Sequence, residues 1–92
     1  MSEEDKGAVL NRLRNAGGHL EAVILMVEED KPCEQILHQL NAVQAALHKA
    51  GALIFAKQIE NCTAIIADCP HADERANQAV RLAGLYRLLS RF

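Results

Sequence analysis

The sequence predicts an all-α chain of three helices, the second of them unusually long. Three observations carry this. Half of the 92 residues are apolar but only 3% are aromatic, so alanine, leucine, isoleucine and valine must build the core, a composition suited to packed helices. Apolar residues recur at spacings of three and four over most of the chain, the signature of an apolar helix face. Proline stands only at Pro32 and Pro70, and each marks a break, because the residue before a proline is pushed out of helical geometry.

The first helix begins at Ser2, Glu3, Glu4 and Asp5, whose negative charge suits a helix N-terminus. Leu10, Leu13, Gly17, Leu20, Ile24 and Val27 form its expected apolar seam. Gly17 and Gly18 cost about 1 kcal/mol each relative to alanine; they predict either a kink or the close approach of another helix. The stretch EEDKP ends the helix. A second helix is expected from about residue 32 to about 66, with Pro32 in its first turn and Cys33, Ile36, Leu40, Val43, Leu47, Ala50 and Ile54 on one face. The segment DCPHADE breaks it. A third helix follows from about Asp73, carrying Ala76, Ala79, Val80, Ala83, Leu85, Tyr86, Leu88 and Leu89.

The chain reads as one domain, residues 1–92. A second helix of that length spans about 50 Å at 1.5 Å per residue, whereas a compact globule of this size has a radius of gyration near 12 Å. The helix overshoots its own domain, so its apolar face predicts a second copy. The net charge of −2 exerts no general attraction on nucleic acid. Scarce aromatics exclude modules that stack bases on rings. With no signal peptide and no apolar run long enough to cross a membrane, a cytoplasmic location is expected. The three cysteines are then thiols rather than a disulfide framework.

Cys62 lies 29 residues after Cys33. On one helix that is about 43 Å of rise, with the two positions within about 20° of the same direction. The two thiols of one chain cannot meet. If two copies of the helix pack antiparallel, Cys33 of one falls near Cys62 of the other, and symmetry makes two such sites. Cys69 is a candidate third thiol. No histidine or aspartate stands as an evident base, and no glycine motif for a cofactor is present, so the chain is not expected to be an enzyme.

From Val9 to Cys62 the sequence resembles the CsoR family of small helical repressors. The resemblance is carried by LNRL (Leu10 to Leu13), GHL (Gly18 to Leu20), MVEEDKPC (Met26 to Cys33), QLNAVQAAL (Gln39 to Leu47) and IENC (Ile59 to Cys62). It implies a three-helix protomer, an antiparallel dimer and a flat tetramer that binds operator DNA. It also implies a ligand site shared by Cys33 of one protomer with a histidine and a cysteine of the other. Here the histidine's position holds Gln58 and the cysteine is Cys62. Glutamine is a poor ligand for soft Cu(I), which prefers thiolate or imidazole.

A cysteine pair without that histidine is similar to the CstR branch, whose members sense persulfides and polysulfides. The resemblance therefore implies a repressor released by sulfane sulfur at Cys33 and Cys62, with no cofactor required. The alternative is a Cu(I) sensor of the same family using Cys33 and Cys62, completed by Cys69 or His71. An alternative of another class is a helical metal or sulfur carrier that never touches DNA. The resemblance also assigns DNA contacts to Arg12 and Lys49, with Lys6 and Arg14 as further phosphate ligands, although helical phase does not put Lys6, Arg12 and Arg14 on one stripe. His19 is expected to orient its helix or line the dimer seam, and His38 and His48 to face solvent. Glu28, Glu29, Asp30 and Glu34 crowd Cys33 with negative charge, opposing the pull of a helix N-terminus on its thiol.

Overall fold

The structure, a computed structural model, describes residues 1–68 and 72–91, with side chains for 1–61 and 72–91. It contains three helices: α1 (Glu3–Glu28), α2 (Cys33–Asp68) and α3 (Ala72–Leu89). The expected order and boundaries hold to within a few residues. Ser2 caps α1, its hydroxyl accepting the Asp5 N–H at 3.1 Å. Such a cap satisfies an amide that the helix itself cannot.

The end of α1 is built more sharply than proline alone requires. Lys31 N–H donates to the Met26 carbonyl and Asp30 N–H to the Val27 carbonyl, the paired bonds of a Schellman turn. Asp30 takes the left-handed conformation that this turn needs, with φ 56°. Aspartate tolerates it better than most residues that carry a side chain. Pro32 is not in the first turn of α2 as expected. It precedes Cys33, and its carbonyl accepts the Ile36 N–H at 3.1 Å.

α1 and α2 run antiparallel side by side, and α3 packs on α2. The molecule is an elongated slab of 60 × 26 × 13 Å with a radius of gyration of 17.9 Å, far from the ~12 Å of a compact chain of this size. Among the described residues the buried apolar side chains are few and short: Val9, Ala16 and Val23 on α1, Val43 and Ala50 on α2. They recur every seven residues, so each helix offers one narrow line to the other.

That line corrects the expected α1 seam. Leu10, Leu13, Leu20, Ile24 and Val27 are all exposed, Ile24 at 50%. The leucine seam is therefore not the one that holds this chain together; it lies to one side of the contact. On α2 only Val43 and Ala50 of the expected face are buried, while Leu40, Leu47 and Ile54 stay exposed. Nor does the glycine pair kink α1, which continues unbroken. A Cβ added at Gly17 or Gly18 would meet nothing within 4 Å.

Two polar ties lock the helices in register. His19 Nε2 donates to Gln39 Oε1 at 2.6 Å. Near the other end, Lys57 Nζ lies 3.3 Å from Asp5 Oδ1 and 3.6 Å from Glu60 Oε2. Between α2 and α3, Phe55 and Tyr86 meet with ring centroids 6.0 Å apart. Among the described residues no helix is long and apolar enough to cross a membrane.

Candidate sensor and DNA-binding faces

At about 100° per residue, the buried lines divide each helix into two flanks. Leu10, Leu13, Gly17, Leu20 and Ile24 fall on one flank of α1; Arg12, Asn15 and His19 fall on the other. Along α2, Cys33, Leu37, Leu40, Leu47 and Ile54 share one flank, and Gln39, Ala42, Ala46 and Lys49 the opposite one. Antiparallel packing reverses both the axis and the contact direction, so like flanks end on the same side. The contact of His19 with Gln39 agrees with this. The α1–α2 layer thus has one leucine-rich face and one polar face.

Cys33 lies at the head of the leucine-rich face, on the first residue of α2, as an exposed free thiol. Position 62 falls on the same flank of α2 by helical phase, about 43 Å away along the axis. The side chain of Cys62 lies outside the described residues, as do Cys69 and His71. Helix α2 does continue through Asp68, so both thiol positions belong to one unbroken helix and a single chain cannot unite them. Among the described residues, no three metal-binding side chains converge within one chain.

Gln58 is half-buried and turned toward α3. With Gly51, Ile54, Phe55, Arg81 and Leu85 it lines a largely apolar cavity of about 240 Å³ between α2 and α3. This is where the sequence pattern expects a ligand histidine. An amide offers only hard oxygen or a non-basic nitrogen there.

On the polar face, Arg12, Asn15, Ala42, Ala45, Ala46 and Lys49 line a groove of about 410 Å³ between α1 and α2. Arg12 and Lys49, read separately from the sequence, are thereby brought together. Lys6 and Arg14 are not. Lys6 points to the leucine side and pairs with Glu3 at 3.5 Å, and Arg14 is exposed away from the groove. Asn15 was missed by sequence reasoning. Its signal was the spacing of Arg12, Asn15 and His19, a polar stripe at three and four residues beside the apolar one. His38 and His48 are exposed as expected, His38 within 3.8 Å of Glu34.

The ion pair that staples the start of α1 to α2 shifts both its members. Partial burial pushes the Asp5 carboxyl up, but hydrogen bonds from Lys57 and Ser2 and the Lys57 charge outweigh it, and the carboxyl sits below its ordinary 3.8. Lys57 is held above its ordinary 10.5, chiefly by its hydrogen bond to Asp5 and then by the charges of Asp5 and Glu60.

A helical hairpin with a thiol at the head of its long arm and a third helix packed on that arm is the architecture of a small helical regulator. The same architecture is found in the solved nickel-responsive transcriptional regulator InrS. The two chains superpose with a TM-score of 0.81 at 26% identity, over 97% of this chain and 93% of that one. Residues 5–90 match the family of metal-sensitive transcriptional repressors, and the chain belongs to that family. This is a family of repressors rather than enzymes. The copper-sensing transcriptional repressor CsoR of Mycobacterium ulcerans is 41% identical over 59 residues, 64% of this chain and 50% of that protein. RicR of Mycobacterium tuberculosis, also a copper-sensing repressor, is 30% identical over 78 residues, 83% of this chain and 81% of its own length. The chain thus spans about half the length of the M. ulcerans relative. Copper and nickel stand in these relatives' names, and sulfane sulfur does not; they favour the copper alternative over the persulfide reading.

Proposed function

We propose that this chain is a transcriptional repressor that binds operator DNA through its polar face and reads Cu(I) through Cys33 of one protomer and Cys62 of another. The observation that carries this is the division of the α1–α2 layer into a leucine-rich face headed by an exposed thiol and a face with a basic groove. The uncovered leucines call for a second copy, antiparallel to the first, and two such dimers make the flat tetramer that the family resemblance implies. In that dimer two thiolates from different chains offer Cu(I) the soft donors it selects, and Cys69 is a further donor near the end of α2. Ligation draws the two chains into one arrangement. Operator DNA prefers the other, and a coupling of about 1–3 kcal/mol between the two sites is enough to switch occupancy.

Gln58 favours a second reading. With an amide where imidazole is expected, the thiol pair suits sulfane sulfur. A thiolate attacks a polysulfide and a shorter polysulfide leaves; the partner thiolate then attacks the inner sulfur of the persulfide so formed, expelling hydrosulfide and joining the protomers by a disulfide. A duplex selected from a random pool by the reduced protein separates these readings when Cu(I) and polysulfide are titrated anaerobically in parallel. Release by Cu(I), with the metal retained in the native mass and no covalent dimer, is expected; Cys33→Ser should abolish the response and leave DNA affinity within about twofold. Release by polysulfide with a covalent dimer would establish the second reading. Release by neither sinks both, and a protein that selects no duplex is a carrier rather than a repressor.

A further inference from the structure

The cavity between α2 and α3 is polar at one end and apolar at the other. Gly51, Ile54, Phe55 and Gln58 line it from α2, a stripe at spacings of three and four. Arg81, Leu85, Leu88 and Leu89 line it from α3 in the same periodicity. The ring contact of Phe55 with Tyr86 sets the register of the two antiparallel helices. In that register Gln58 lies level with Arg81, and Gly51 with Leu88 and Leu89. The two ends are seven residues apart on α2, about 10 Å along the axis. Gly51 has no side chain to fill its end. Among the described residues, Arg81 has no ion-pair partner and no carboxylate lines the cavity.

We infer that this cavity is a binding site for a small aliphatic carboxylate, with its tail among Ile54, Leu85 and Leu88 and its head on the Arg81 guanidinium. A volume of about 240 Å³ falls below the roughly 300–1,000 Å³ of sites for drug-sized ligands, which limits the occupant to a short chain. Gln58 and Arg81 are the polar side chains of the lining, and both stand at one end. The tail must therefore be apolar, because the hydroxyls of a sugar or polyol would lose their hydrogen bonds along the rest of the cavity. The guanidinium presents a fork of N–H donors that matches the two oxygens of a carboxylate. A cationic head would meet Arg81 as a like charge. The site includes the position where a ligand histidine is expected, but it needs neither metal nor DNA, so it stands or falls apart from the repressor reading.

The test uses the reduced chain with labelled isoleucine and leucine methyls, titrated with hexanoate and followed by NMR. Hexanoate should shift the methyls of Ile54, Leu85, Leu88 and Leu89 saturably and leave those of Leu13 and Leu20, on the leucine-rich face, in place. Hexanol, which has the tail alone, and acetate, which has the head alone, should each bind at least about tenfold more weakly. Arg81→Gln should lower hexanoate affinity about tenfold and leave that of hexanol unchanged. Gly51→Leu should fill the apolar end and remove binding of both, with helix content as in the parent; Leu88→Phe fills the same end from α3 if that variant does not fold. Lining methyls that do not respond, acetate that matches hexanoate, or an unchanged hexanoate affinity in Arg81→Gln would each overturn the site. Contacts of these methyls with a second copy in mixed-label samples, without a response to hexanoate, would assign the cavity to an interface between copies instead.

Discussion

The two faces of the α1–α2 layer are made from the same two helices, yet they differ in what their side chains can do. One carries Leu13, Leu20, Leu40 and Leu47, each roughly two-fifths exposed in the single chain (39%, 41%, 43% and 37%). The other carries alanines between Arg12 and Lys49. Large apolar side chains left in water gain by association with a like surface. Short side chains between unpaired cations have little apolar area to bury and a charge to neutralise. On the proposed reading, the difference lets one chain serve two partners: only five apolar residues are buried among those described, and the exposed leucines are left for assembly.

The comparison breaks most completely at the leucine face. A leucine contributes about 1.5–3 kcal/mol on full burial, and in a two-fold interface each substitution counts twice. Leu40→Asp is therefore expected to weaken self-association at least about a hundredfold, which sedimentation equilibrium would show as monomer at concentrations where the parent assembles. The polar face should lose DNA affinity as well, because its binding depends on several grooves held together.

A substitution in the shared seam should damage both faces equally. Ala16 is 2% exposed, and leucine there forces the helices apart at a cost of about 1–3 kcal/mol. A melting curve for Ala16→Leu should shift down by several degrees, with metal response and DNA affinity falling together. Retention of one function alone would show that the faces do not share the seam as a common support.

Smaller effects sharpen the picture. His19→Phe removes the tie to Gln39, worth about 0.5–1.5 kcal/mol net, and should loosen exchange protection of amides around residues 15–23 more than around residues 3–9. The Asp5 and Lys57 pair gives the least. Because the Asp5 pKa is depressed in the folded chain, its contribution is present above the ordinary carboxyl value and lost as pH falls through the lowered one. Because the Lys57 pKa is raised, its share is present below the ordinary amine value and lost as pH rises through the raised one. Melting temperatures of the parent and Asp5→Asn should differ by a constant amount from mild acid to mild alkali and converge at both extremes.

Much of this was legible in the sequence. Helix count, the long α2 and the break at Pro32 follow from periodicity and proline placement, and the equal phase of positions 33 and 62 follows from helical arithmetic alone. The α1 seam was misassigned for a physical reason. Leucines carry the strongest hydrophobic signal, but the intramolecular contact selected the shorter Val9, Ala16 and Val23, which let two helices lie close; the leucines fell to the flank. Asn15 went unseen because one asparagine on a helix means nothing until α2 is laid beside it. Likewise the partnership of Arg12 with Lys49 depends on which flanks the hairpin brings to one side, which pattern within a single helix does not contain.

The turn at Asp30 fixes those flanks. Four residues, 29–32, separate α1 from α2, and the turn's paired hydrogen bonds leave little freedom in how one helix leaves the other. One residue inserted just after Cys33 would rotate the rest of α2 by about 100°, sweeping Leu40 and Leu47 away from Leu13 and Leu20 and parting Lys49 from Arg12. Loop lengths usually vary freely between homologous proteins because loops tolerate insertion. In this hairpin, chain length from Met26 to Val43 is itself a specification: substitutions there can be absorbed, but insertions and deletions would cost both faces at once.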